Sequence, residues 1–306
     1  MKRFIYITLL FLSFSSVSAE EKNMAILKAQ YTAWKNYHDE NHENPRRNED
    51  KYILQIGEGS SYYYDPQSYY VDSINNDPTG RAILEQATRD AFMQTIENGK
   101  NPFEILKAKG LMSGSSYKCR KNFASQLITV WDWSGDLYQY DIDMNDLSWE
   151  LLDSTTTILD YECNLATADY HGRKWKAWFT TDIPVNDGPW QLCGLPGLIM
   201  KAETDDGDYG FEIIGIQKCH EPFKPTLVNP DKVFKTKRIT FLKMSDYSRR
   251  NRSARISAMT NGAVNVKADY KGNLILLKRI TDNEKDIHHN YYMPFDGYGN
   301  GTDCRH

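Results

Sequence analysis

Gly188-Pro189-Trp190-Gln191-Leu192-Cys193-Gly194-Leu195-Pro196-Gly197-Leu198-Ile199 is the stretch on which the reading of this chain turns. Pro196 fixes φ near the value needed at the second position of a β-turn, and Gly197 can take the positive φ that a type II turn requires at the third. Leu195, standing before proline, is driven to an extended backbone. The spacing predicts a sharp corner over residues 194–199 between two extended pieces, with Leu195, Leu198 and Ile199 free to enter a core. A phosphate cradle is the competing reading, and it needs several backbone N–H groups aimed one way at a helix start. Pro196 has no N–H, and neither Gly-x-Gly-x-x-Gly nor a following Lys-Ser/Thr is present. A corner built for packing is the better reading.

Outward from that corner the pattern is that of strands. Residues 161–170 and 173–181 flank His171-Gly172. Residues 198–203 and 209–217 flank Asp206-Gly207, a pair that favours a type I′ hairpin because both central residues accept positive φ. Upstream, Trp131, Trp133, Leu137, Tyr138, Tyr140, Ile142, Met144, Trp149 and Leu151 come in short runs broken by Ser134-Gly135 and Asn145-Asp146, which predicts an antiparallel meander. Near the start, Ala25, Leu27, Ala29, Tyr31 and Ala33 alternate with Lys28, Gln30 and Thr32, the period of a strand with one buried face. Residues 39–50 read as a solvated loop around Pro45, and residues 51–56 as the returning strand of a hairpin.

The period changes over residues 77–99. Leu84, Ala87, Ala91 and Thr95, flanked by Ile83, Phe92 and Ile96, recur at three- and four-residue spacing, with Asp77 as cap, Pro78 in the first turn and Gly99 at the end. This predicts a helix, and residues 100–110 a short second one. Towards the C-terminus, residues 235–243 read as a strand, Ser245 as the cap of a basic helix running to about 259, and residues 273–280 as a final strand. From about 288 a Gly- and Tyr-rich loose tail is expected. The fold class expected is mainly β (α+β): a curved antiparallel sheet, half-barrel or sandwich-like, with a few peripheral helices, in a single domain over residues 20–306.

The first residues have the layout of a secretion signal: Lys2 and Arg3, an apolar stretch over residues 5–14, and Val17-Ser18-Ala19 as a small-residue cleavage site. The apolar stretch is too short to span a membrane, which takes roughly 20 residues. Residues 1–19 are therefore expected to be removed as a signal peptide, leaving no transmembrane segment. No cysteine stands near the cleavage site to carry a lipid, so the expected address is the periplasm or outside the cell. A net charge of -4 with interspersed signs offers no basic face for phosphates, which argues against nucleic acid as a partner.

Five cysteines, Cys119, Cys163, Cys193, Cys219 and Cys304, in a chain bound for an oxidising compartment predict at least some pairing, with one left over. Connectivity stays open; Cys163 with Cys193 is the pairing preferred. The composition is rich in aromatic residues, with 20 Tyr and 7 Trp. Such side chains suit half-buried sheet faces first and binding surfaces second. Tyr62, Tyr63, Tyr64, Tyr69, Tyr70, Trp131 and Trp133 form the candidate ligand surface.

At residues 194–199 the sequence is the hexapeptide for which the GLPGLI family is named, and the chain resembles that family over most of its length. The resemblance extends to Trp149-Glu150-Leu151, Tyr161-Glu162-Cys163, His171-Gly172-Arg173-Lys174-Trp175-Lys176-Ala177-Trp178-Phe179-Thr180, Ile183-Pro184, Gly188-Pro189-Trp190, and Leu54-Gln55-Ile56-Gly57 with Ser60. It lapses around residues 77–110 and in the His-rich tail. It implies a protein exported by Gram-negative Bacteroidota, without a known reaction or ligand. What it transfers is the structural importance of Gly188, Pro189, Trp190, Gly194, Leu195, Pro196, Gly197, Leu198 and Ile199; it supplies no catalytic residue.

Motif chemistry is mostly excluded. His38 and His42 stand four apart, yet Asp39 follows the first and Asn41 precedes the second, so neither arrangement of a helical zinc protease is met. Asp141, Asp143 and Asn145 echo the start of a calcium loop, but Asp146 and Leu152 stand where Gly and Glu are required. Asp205, Asp206 and Asp208 read as a solvated turn. Cys219-His220 and Cys193 lack Cys-x-x-Cys spacing, and no Gly-x-Ser-x-Gly elbow occurs. No metal, cofactor or catalytic residue is expected. The function expected is noncatalytic: an envelope-associated protein presenting an aromatic sheet face to an apolar ligand, a peptide or an outer-membrane transporter. The alternative is an exported hydrolase using an Asp or Cys with His171 or His220.

Overall fold

Period-two alternation builds most of the chain. The structure, a computed structural model, describes residues 24–37, 46–98, 101–226, 229–251, 265–268 and 274–277. In chain order these form β1 (Met24–Tyr37), β2 (Arg46–Ile56), β3 (Ser60–Tyr64), α1 (Pro66–Asn76), α2 (Pro78–Asn98), α3 (Pro102–Ala108), β4 (Lys118–Asn122), β5 (Leu127–Trp133) and β6 (Leu137–Asp143). There follow β7 (Glu150–Ile158), β8 (Tyr161–Tyr170), β9 (Arg173–Thr180), β10 (Leu198–Thr204), β11 (Tyr209–Pro222), β12 (Val233–Lys235), α4 (Arg238–Arg250), β13 (Asn265–Ala268) and β14 (Leu274–Leu277). Strands dominate, as the sequence predicts.

The first twelve strands make one open sheet in the order β12-β6-β5-β4-β3-β2-β1-β11-β10-β9-β8-β7. Every pair is antiparallel except the short parallel contact of β12 with β6, so the sheet is mixed. It consists of two meanders, β1 to β6 and β7 to β11, joined where β1 pairs with β11 from Met24↔Pro222 to Lys35↔Tyr209. Helices α1 to α3 are inserted between β3 and β4, and a strandless segment, residues 181–197, between β9 and β10.

That segment folds into the main core, and this places the candidate site. Ala29, Tyr31 and Ala33 of β1, Tyr52 and Leu54 of β2, Tyr138 and Tyr140 of β6, Trp175 and Phe179 of β9, and Phe211 of β11 form one cluster with Leu192, Cys193, Leu195, Leu198 and Ile199. Burying each of these leucine and isoleucine side chains contributes about 1.5–3 kcal/mol. Helix α4 closes one end by seating Phe241 on Tyr138 and Tyr140, with ring centroids 5.7 and 5.2 Å apart. A second cluster, Ala25, Tyr62, Tyr64 and Phe223, is fed by the residues of β3 that alternate with Tyr63, so β3 is buried on both faces.

Caps fix the helices. Asp65 accepts from the Ser68 backbone N–H at 2.6 Å ahead of α1, and Asp77 from the Gly80 N–H at 2.6 Å ahead of α2. The predicted helix over residues 77–99 matches α2, and the short one after it matches α3. Helix α1 is absent from the sequence reading, although Asp65-Pro66 opens it just as Asp77-Pro78 opens α2.

Four local expectations are corrected. Strand β2 begins at Arg46, so the first hairpin continues into the stretch read as loop. Residues 235–243 are a strand only to Lys235; Arg238 opens α4, in which Phe241, Leu242, Met244 and Ser245 recur with helical period facing the sheet, and Ser245 lies inside the helix rather than at its cap. The β10–β11 turn is not type I′: of its central pair only Gly207 has positive φ, at 72°, and the Gly207 N–H bonds to the Thr204 carbonyl oxygen at 2.8 Å. Gly197 does not take positive φ either; that role falls to Gly194, at 92°. A Cβ on Gly197 would collide with the Thr180 carbonyl, so the glycine is required for close approach of two backbones. The corner itself stands, with Leu195, Leu198 and Ile199 at 1%, 0% and 0% exposure.

The final strand expected over residues 273–280 corresponds to β14, paired with β13. The stretch expected to be a signal peptide, His38, His42, Gly99, the far end of the expected basic helix and residues 288–306, expected to be a tail, lie outside the described residues.

Candidate functional site

The β8–β9 hairpin turns at His171 and Gly172, both at positive φ, 53° and 77°. A left-handed backbone is uncommon for a histidine and marks the position for attention. Its ring lies against Tyr170 with centroids 3.8 Å apart, and its Nε2 is 2.9 Å from Gln191 Oε1. The Tyr170 hydroxyl donates to the same Gln191 oxygen at 3.3 Å, while Gln191 Nε2 donates to the Tyr117 hydroxyl at 3.1 Å. Gln191 thus fastens the hairpin tip to the segment before β10. Burial first, then the nearby Arg238, push the His171 pKa down to about 4 against the opposing bond to Gln191, leaving the imidazole neutral at neutral pH.

In front of this hairpin lies a cleft of about 440 Å³, lined by Asp141, Ile142 and Asp143 of β6, Asp146 of the following 3-10 turn, Asp169, Tyr170 and His171, and Arg238 at the start of α4. The alternation of β6 sends Asp141 and Asp143 away from the core that takes Tyr140 and Ile142. Asp141 accepts from the Thr129 hydroxyl at 2.7 Å, and Asp143 accepts from the Asn145 N–H at 2.9 Å, capping the turn that carries Asp146. Four carboxylates therefore face one guanidinium. Carboxylates only accept hydrogen bonds and the guanidinium only donates, so the cleft suits a small polar molecule rich in donors. No thiol or serine lines it. Among the described residues there is no grouping of three or more His, Cys, Asp or Glu able to hold a metal ion.

Behind the cleft, the segment after β9 is held by a buried ion pair. Lys121 Nζ lies 2.6 Å from Asp187 Oδ1 and donates to the carbonyl oxygens of Gly188 and Leu192 at 2.6 and 3.0 Å. Burial works against the ammonium, and Asp187 together with the neighbouring Cys193 and Cys119 outweighs it, so the Lys121 pKa is raised. Asp187 Oδ1 also accepts from the Gly188 N–H at 2.7 Å. Further ties run from the Tyr31 hydroxyl to the Ile199 carbonyl at 2.7 Å and from Trp149 Nε1 to the Cys193 carbonyl at 2.8 Å. Trp190, itself at a positive φ of 54°, packs against both Trp175 and Phe211, with centroids 5.7 and 6.2 Å away.

The residues singled out in the sequence are distributed as follows. Gly188, Pro189, Leu195, Gly197, Leu198 and Ile199 are buried, Trp190 is half-buried, and Gly194 and Pro196 are exposed. Tyr62, Tyr63 and Tyr64 are buried in the sheet and line no open face, because β3 is covered on both sides. Tyr69 and Trp131 are half-buried, whereas Tyr70 and Trp133 are each 52% exposed, on α1 and at the end of β5, so these seven residues do not make one surface. Cys163 and Cys193 are both free thiols, as are Cys119 and Cys219; the preferred pairing is not formed. Cys304 lies outside the described residues.

Asp205, Asp206 and Asp208 solvate the β10–β11 turn, where Arg173 bridges Asp206 and Asp208 and Lys176 meets Asp205 at 2.8 Å. His220 is exposed on β11, away from the cleft. Lys121, Gln191, Asp169 and Arg238 were missed in the sequence. The signal for Lys121 is its parity with Cys119 on β4; Arg238 is recruited from a distant helix, and no local pattern announces it.

Residues 170–201 match the family described as Protein of unknown function (Porph_ging), a span that runs from the hairpin tip through the buried corner. No curated protein matches. Two solved structures, "Structure of PNGF-II in P21 space group" and "Structure of PNGF-II in C2 space group", are similar over 74% and 72% of this chain, at 14% and 13% identity and TM-scores of 0.46 and 0.45. This chain spans 34% and 33% of the length of those chains.

Proposed function

We propose that the chain is an exported, noncatalytic binding protein that takes a small, donor-rich polar ligand in the cleft between β6, the β8–β9 hairpin tip and the start of α4. The observation that carries this reading is the convergence of Asp141, Asp143, Asp146 and Asp169 with Arg238 around one cavity whose wall is the Tyr170–His171 stack. A concave site with a few converging polar groups beside aromatic rings is the usual form of a small-molecule site. The Gly188–Ile199 motif takes the supporting part: through Gln191 it fixes the hairpin that forms the cleft wall. Export rests on the sequence of residues 1–19, and the resemblance to the GLPGLI family agrees with it.

A hydrolase is the second reading, favoured by the meeting of His171 with carboxylates in one cleft. Two features oppose it. The His171 Nε2 is engaged by Gln191, and a pKa near 4 makes the ring a poor base at neutral pH.

Native mass spectrometry of residues 20–306 against pools of polyamines, amino sugars and oligosaccharides separates the readings. The binding reading expects a ligand retained intact by the natural chain and lost on both Asp169→Asn and Arg238→Ala. Retention unaffected by either substitution, or no retention at millimolar ligand, overturns it; turnover of the pool supports the hydrolase.

A further inference from the structure

The large sheet is open, so it ends in two strands that have a neighbour on one side alone, β7 and β12. Such edges are templates for another chain, and proteins guard them with short strands, with lysine or with a bulge. The two edges of this sheet differ. β12 is three residues long and carries Lys235, with Lys232 just ahead of it. β7 is nine residues long, carries Glu150 and Asp153 but no Lys, Arg or Pro, and buries none of its residues. Its register with β8 is regular over Glu150, Leu151 and Leu152 and slips before Thr155. A regular edge of three residues therefore stands at one side of the sheet and a strand of three residues at the other.

The side chains of these two stretches are matched. Laid antiparallel, Glu150 falls opposite Lys235, Leu151 opposite Phe234, Leu152 opposite Val233 and Asp153 opposite Lys232. Leu151 and Phe234 are 60% and 56% exposed, so each has apolar surface to remove from water. None of the four charged residues makes an ion pair with another described residue. Cross-strand pairs of opposite charge or of apolar side chains stabilise a sheet, whereas like charges placed opposite each other destabilise it. Self-pairing fails that criterion at both edges. Setting Leu151 against Leu152 of a second β7 places Glu150 against Asp153 twice, and setting Val233 against Phe234 of a second β12 places Lys232 against Lys235 twice.

We infer that β7 of one molecule pairs antiparallel with β12 of a second copy of this chain, continuing the sheet from one molecule into the next. The contact is heterologous, since each molecule contributes a different edge to each of two neighbours, and it grows beyond a dimer into a ring or a filament. Four residue pairs make a small contact, so the assembly is reversible and depends on concentration. Its charges are exposed, and salt weakens it.

Sedimentation velocity of residues 20–306, from micromolar to millimolar protein and from low to molar salt, tests the inference. The expected result is a mean sedimentation coefficient that rises with protein concentration and falls with salt. Glu150→Lys and Lys235→Glu lie at exposed positions, and each is expected to weaken association about tenfold. Mixed in equal amounts the two variants are expected to associate again, because every edge then finds an opposite charge. A natural chain that stays monomeric throughout overturns the inference. Association that Lys235→Glu leaves unchanged, as a β7–β7 contact would give, or a mixture no more associated than either variant alone, also overturns it.

Discussion

Lys121 and Asp187 meet at 2.6 Å with side chains 1% and 0% exposed, binding the middle of β4 to the segment that precedes the buried corner. The pair is not a surface ornament: it also satisfies two backbone carbonyls that have left the sheet ladder. Removing one member strands the other in the core. Lys121→Met is expected to cost about 3–5 kcal/mol, and the double substitution with Asp187→Leu to recover part of that loss. Urea midpoints of the three variants check this; a double variant as unstable as the sum of the singles contradicts the coupling.

Gly197 and Gly194 are both glycines of the corner, for different reasons, and substitution separates them. Gly197→Ala drives a methyl into the Thr180 carbonyl, with a backbone on each side that has no room to move, and is expected to lose about 3 kcal/mol. Gly194→Ala makes only an ordinary contact with the Trp149 ring at 4.0 Å and bears the strain of a positive φ, about 1–2 kcal/mol. Thermal melting of the two variants gives the order; equal losses contradict the close-approach role of Gly197.

His171 and Asp132 act in opposite directions across one pH range. The folded His171 pKa, about 4, lies below the ordinary 6.5, so the unfolded chain binds the proton more readily and His171 makes stability fall as pH drops from 6.5 to 4. Asp132, pushed up to about 6 by burial against its bonds from the Trp133 N–H and the Ser116 hydroxyl, prefers its proton when folded, so its contribution is lost as pH rises from 3.8 to 6. Each effect is on the order of 3 kcal/mol. His171→Asn keeps a residue that tolerates positive φ. Its difference profile against the natural chain is expected to show a relative gain below pH 6, and that of Asp132→Asn a gain above it. Denaturation midpoints from pH 4 to 7.5 provide the measurement, and parallel profiles contradict both assignments.

Thiol reactivity is expected to follow burial. Burial pushes Cys119 up to about 12 and Cys163 and Cys193 to about 11, whereas Cys219 is half-buried with a smaller rise. Thiolates, not thiols, alkylate. Iodoacetamide on the native protein should modify Cys219 at least tenfold faster than the other three, read by peptide mass mapping. A Cys163–Cys193 disulfide found without reductant contradicts the free thiols.

The strands were legible because their chemistry is local. β1, β5 and β6 alternate cleanly, and the parity of Ala29, Tyr31 and Ala33 gives both element and face. Tyr62-Tyr63-Tyr64 misled because an unbroken aromatic run has no parity; it signals a strand covered on both faces as well as it does a binding surface. Helix α4 was misread because Ile239, Phe241 and Lys243 satisfy period two while Phe241, Leu242 and Ser245 satisfy the helical period, and packing on Tyr138 and Tyr140 decides between them. The cleft was legible least. Asp143 and Asp169 lie on strands at opposite ends of the sheet order, and no local pattern announces that the hairpin and α4 bring them together.

The seam between β1 and β11 has a consequence for how the chain is made. Apart from the insertions over residues 65–117 and 181–197, each meander pairs strands that follow one another closely in the chain, but β1 must wait for residues 209–222 before its second flank is paired. Until they emerge, a long strand bearing Tyr31 and Trp34 has an open edge, the state in which sheets recruit strands from other molecules. Closing so long a loop is slow compared with zipping either half. Shortening the polypeptide anywhere before β11 should therefore yield not a smaller working protein but two half-sheets that aggregate.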